Sequence, residues 1–142
     1  MREVKFRIWT GSYMFKPNNL IAFPFYIDAL NGKVNMGKTD AGDFYLSEKS
    51  EFLPLQYVGL KDKNGTEIYE GDIVKFISSN SILKKEGYPK ENEMGVVEYF
   101  LNAFMVKCKQ AYYDFDEIGD LVVVGNIYQN QELTENIINS CN

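Results

Sequence analysis

A chain of 142 residues with 45% hydrophobic residues, one Trp, ten Tyr and ten Phe has a folded, globular composition. It is long enough to withdraw roughly 68 to 70% of its unfolded surface from water. It contains no histidine, which excludes His-ligated zinc, histidine acid–base catalysis and Ser-His or Cys-His nucleophiles. The net charge of −5 divides into +1 over residues 1–60, 0 over 61–91 and −6 over 92–142, so the acidity sits in the last third and a uniformly basic nucleic-acid footprint is absent.

The first residues carry no apolar signal-like region, and no apolar run is long enough to span a bilayer, so a cytoplasmic protein without membrane association is expected. Val4, Phe6 and Ile8 alternate with Lys5, Arg7 and Trp9, the period of a half-buried strand, and Gly11-Ser12 turns it into a hairpin with residues 13–15. Residues 20–30 (LIAFPFYIDAL) are apolar, but Pro24 cannot donate to a ladder, which predicts an edge strand or a packed loop. Residues 31–43 are polar with three glycines and read as a surface loop or a pair of turns.

From residue 52 the apolar content resumes. Asn64-Gly65 marks a hairpin turn of the type I′ kind, and Glu70-Gly71-Asp72 a second turn leading into a strand over 73–77. Residues 78–93 read as a mobile loop, 95–100 and 104–108 as a hairpin, and 121–128 as a strand covered on both faces that closes the sheet. Asn130 is placed to cap a short helix with Leu133, Ile137 and Ile138 on one face. Cys108 reads as a buried hydrophobe, and Cys141 lies too near the chain end for a disulfide to be expected.

Four stretches in this order, residues 1–9 (MREVKFRIW), 56–65 (QYVGLKDKNG), 68–76 (IYEGDIVKF) and 124–130 (VGNIYQN), resemble the YopX family of phage and prophage proteins. The resemblance implies a phage or prophage origin, a compact β-rich fold and no assigned activity, with no catalytic or ligand residues to carry over. Gly71 to Phe76 is also similar to SH3-like barrels, an analogy of fold alone. The expectation is a mainly β (β-rich α+β) fold, a small, partly open SH3-like barrel with an N-terminal hairpin and a short C-terminal helix. It forms one domain over 1–142, divisible into a β region over 1–50 and a barrel-like region over 51–142.

Three constellations carry chemistry on paper. Glu67, Glu70 and Asp72 are close in sequence, yet 67 and 70 have opposite strand parity, and Asp72 is placed to bond turn amides. Residues 114–120 imitate the start of an EF-hand loop, but position 5 is Ile118 and position 12 is Gly125, so an acidic solvated turn is the plainer reading. Lys5, Arg7 and Trp9 share one face of the first strand and, with Lys61 and Lys63, form the candidate binding surface. They can hold a base and phosphates or a protein partner, unless Trp9 is simply covered by the rest of the chain. Gly59, Asp62, Asn64, Gly65, Gly71 and Asp72 are read as turn-forming residues. No enzyme activity, cofactor or metal is expected. A protein partner or self-association comes first, with a nucleic-acid-associated factor as the alternative.

Overall fold

Thr10 organises the first turn: its hydroxyl accepts the Tyr13 amide at 3.1 Å and its own amide donates to the Tyr13 carbonyl at 3.0 Å. This is the local side-chain-to-backbone bonding that makes threonine a turn residue. The turn joins β1 (Phe6–Trp9) to β2 (Met14–Phe15), with Ile8 opposite Phe15. The computed structural model describes residues 3–16, 25–28, 30–40, 43–49, 51–78, 92–109 and 111–139. They fall into two compact units, Met1–Tyr57 and Val58–Asn142.

In the first unit β1 lies between β2 and the start of β6 (Leu53–Lys61), in register from Phe6 opposite Gln56 to Trp9 opposite Leu53. β3 (Phe25–Ile27) is an edge strand beside β4 (Val34–Asp40), which pairs with β5 (Asp43–Lys49). Residues 20–24 of the predicted edge segment lie outside the described residues. The polar stretch 31–43 is not a loop throughout. Only its start turns, where Asp28 accepts the amides of Leu30 and Gly32. From Val34 it is a seven-residue strand in full register with β5, because inter-strand backbone bonds form whatever the polarity of the side chains.

The second unit holds a curled half-barrel sheet in the order β11-β10-β9-β8-β12. Its strands are β8 (Asp72–Ser78), β9 (Glu93–Phe100), β10 (Ala103–Cys108), β11 (Ala111–Tyr113) and β12 (Ile118–Asn126), with β7 (Glu67–Tyr69) preceding them. Val74 and Phe76 on β8, Val97 on β9, and Val106 and Cys108 on β10 pack with Val58 and Ile68 into one core. Strand alternation accounts for the choice on β8, β9 and β10, whose core residues share one face of the sheet. The Phe76 ring lies 5.8 Å from that of Tyr113. Residues 79–91, most of the loop expected over 78–93, lie outside the described residues, as does Cys141.

β12 extends three residues earlier than its apolar run and is half-buried along most of its length. It lies at the end of the sheet order, beside β8, with register irregularities around Val122 and Val123. Helix α1 (Gln131–Asn139) follows, with Ile137 buried. Asn130 starts it through its carbonyl, which accepts the Thr134 amide at 3.2 Å. Its side chain does not cap the helix but reaches back to the Asn126 amide at 3.0 Å. No helix among the described residues is long and apolar enough to cross a membrane.

Candidate binding surface

Asp62 begins the Asp62-Lys63-Asn64-Gly65 turn and is only 7% exposed. One carboxylate oxygen accepts the amides of Asn64 and Thr66, both at 2.9 Å, and the other accepts the Val123 amide at 2.9 Å from β12. Burial works to raise its pKa, but the Val123, Thr66 and Asn64 amides and the Thr66 hydroxyl outweigh it and hold the group below the usual aspartate value. The hairpin lies where Asn64-Gly65 places it, yet it is not type I′. Only Gly65 has positive φ, at 82°, and the Gly65 amide donates to the Asp62 carbonyl at 3.0 Å. This is a type I turn followed by a left-handed glycine, favoured because the carboxylate gathers the Asn64 and Thr66 amides.

Asp72, Glu67 and Glu117 also have structural partners. Asp72 is 1% exposed and accepts the Tyr69 amide at 2.8 Å, while Glu67 accepts the Tyr69 hydroxyl at 2.8 Å. In the 114–120 stretch, residues Phe115–Glu117 form a single 3₁₀ turn, and Glu117 accepts the Asp114 amide at 3.1 Å. Among the described residues, no three acidic or cysteine side chains come together as a metal would require. Gly71, at φ 85°, sits where a Cβ would come within 2.8 Å of the Tyr128 ring, so both its conformation and the close approach require glycine. Gly59, at φ 90°, is exposed within β6.

In the first unit Arg7 and Trp9 lie on β1 and Lys5 immediately precedes it, and Lys61 and Lys63 lie exposed in the second. The expected solvated cation face is not formed as alternation predicts. Arg7 is 7% exposed, since β1 is an inner strand and Arg7 stands opposite buried Leu55. Lys5 is half-buried, pairing with Glu3 at 3.0 Å and lying 5.4 Å from the centre of the Tyr57 ring. Trp9 is half-buried.

What strand periodicity misses is the tip of the β9–β10 hairpin. Leu101 and Asn102 form its two-residue turn with φ of 47° and 67°, the type I′ geometry that favours asparagine and glycine. Leu101 is nonetheless 79% exposed, and neighbouring Tyr99 is 59% exposed with its ring edge-on to Phe104 at 5.1 Å. On the opposite face Phe100 stacks on Tyr112 at 3.9 Å. The legible signal is an apolar run, Tyr99-Phe100-Leu101, that continues into a turn.

A family model described as YopX protein matches residues 5–135. The chain is similar in structure to YopX from Bacillus subtilis, at TM-score 0.59 and 20% identity, covering 94% of this chain and 98% of that one. It is also similar to a protein from Enterococcus faecalis, at TM-score 0.57 and 23% identity, covering 94% and 99%. No curated protein matches the sequence. With a family match running from the first strand through the Asp62 and Gly71 turns and into the C-terminal helix, the chain belongs to the YopX family.

Proposed function

We propose that this chain is a non-enzymatic binding module, a phage- or prophage-encoded accessory protein that contacts another protein in the host cytoplasm through the tip of its β9–β10 hairpin. The observation that carries this reading is Leu101. A left-handed conformation costs a non-glycine residue about 1–2 kcal/mol, and here the same residue leaves its apolar side chain in water. Asparagine or glycine would serve the turn better on both counts. A strained, exposed apolar residue points from fold to recognition, and exposed tyrosine beside it is a common interface anchor.

The test is capture of host protein by the native chain and by Leu101→Asn. Reproducible capture that weakens in the variant is expected. Equal capture by both moves the surface elsewhere, and no capture by the native chain removes the reading. The nucleic-acid alternative has less support, because Arg7 is buried and Lys5 engages Glu3 and Tyr57. Salt-sensitive oligonucleotide binding lost on exchanging Lys61 and Lys63 for glutamate would reinstate it.

A further inference from the structure

A two-residue hairpin turn makes its flanking residues, Phe100 and Ala103, a hydrogen-bonded pair. Such pairs alternate along an antiparallel ladder, so Glu98 and Met105 form the next. Tyr99 lies between them, and its amide and carbonyl point away from β10. On that side β9 has β8 beside it only as far as Val96, opposite Ile73. One residue on, the Gly71 amide donates to the Val97 carbonyl at 2.9 Å, and the Gly71 carbonyl accepts the Ile127 amide at 2.9 Å. The ladder stops there, and the backbone of Tyr99 has no partner strand among the described residues.

A cleft of about 220 Å³ opens at this point, lined by the four successive β9 residues Val96 to Tyr99 together with Glu70, Gly71, Ile127 and Tyr128. Successive residues point to opposite faces of a strand, so a cleft touching all four runs along the strand edge. It is too small for an ordinary small-molecule site but has room for a side chain or two of an added strand. Its lining residues are apolar (Val96, Val97, Ile127), aromatic (Tyr99, Tyr128) and acidic (Glu70, Glu98) beside Gly71, with no cation. Neither lysine nor proline guards the edge between Glu98 and Phe100, although natural sheets commonly block their edges that way.

We infer that the β9 edge at Tyr99 is a strand-addition site for an extended segment of a partner protein in which apolar residues alternate with lysine or arginine. Main-chain bonds to Tyr99 supply the attachment, the cleft takes an apolar side chain, and Glu70, with Glu98, whose carboxylate also accepts the Tyr112 hydroxyl at 3.2 Å, favours positive charge. The inference rests on the protein-binding reading above and names its mode and the chemistry of the partner.

The probe is a fluorescently labelled hexapeptide alternating lysine and valine, with a glutamate–valine hexapeptide as control, both titrated into the full chain. The lysine peptide is expected to bind and to slow exchange of the Tyr99 amide at least about tenfold, whereas the glutamate peptide does neither. Tyr99→Pro removes a donor that the β9–β10 ladder does not use, a position where strands tolerate proline, and is expected to weaken peptide binding about tenfold or more. Tyr99→Thr keeps the amide and loses the ring, and is expected to weaken binding less than Tyr99→Pro does. Unchanged Tyr99 exchange in the native chain with the lysine peptide overturns the inference, as does undiminished binding by Tyr99→Pro. Tyr99 protection that grows with protein concentration, without peptide, would assign the edge to a second copy and also overturn it. Host-protein capture separates the two levels: capture unaffected by Tyr99→Pro defeats the edge while leaving the binding reading, and no capture by the native chain defeats the reading itself.

Discussion

Asp62 joins two stretches of chain 61 residues apart through one carboxylate, and its environment fixes how it responds to acid. Because its folded pKa lies below the usual value, the stability it contributes is fully present above the unfolded aspartate pKa of about 3.9 and is lost as pH falls through the folded value. Asp62→Asn keeps an acceptor for one side of the site but turns its NH2 donor toward the backbone amides on the other. It is expected to cost about 2–3 kcal/mol at pH 7 in urea unfolding, with the gap to the native chain narrowing below about pH 4. A gap independent of pH would show that the charge is not what the three amides require. Gly71→Ala is expected to cost about 2 kcal/mol or more, from positive φ and the approach to Tyr128 together, and a thermal melt within a degree of native would refute the close approach. The sequence marks both residues as turn formers and leaves Asp62's third bond invisible, because Val123 is a backbone donor brought in from another strand.

At the scale of elements, strands rich in β-branched and aromatic residues are the legible ones. β1, β8, β9 and β10 follow from alternation and turn chemistry, since their apolar faces meet the cores. Phe76→Ala on β8 should therefore cost about 3–5 kcal/mol in chemical denaturation, and a loss below about 1 kcal/mol would place the core elsewhere. β4, β5 and β11 are not legible. β4 lies in a polar, glycine-containing stretch, β5 is its hairpin partner, and β11 is three residues long, so backbone pairing with a neighbour defines each of them rather than side-chain pattern. Burial of Arg7 escaped for a related reason: period-two reasoning assumes one wet face, and an inner strand need not have one.

Across the whole molecule, family membership was readable because the residues that carry it are turn formers and core residues, whose geometry is local. The proposed strand-addition edge was not, because it depends on where β8 stops short of β9, a fact of topology with no sequence signature. The proposed edge is lined by Glu70 and Glu98 and by no cation. Binding of the lysine peptide should weaken steadily as salt rises through the range that screens exposed charges, and salt-independent binding would count against electrostatic selection. The central claim is that Leu101 is held exposed and left-handed at a cost to the fold because recognition uses it. Urea unfolding of Leu101→Asn tests this most directly: the account predicts a gain of about 1 kcal/mol, and stability equal to or below the native chain would contradict it.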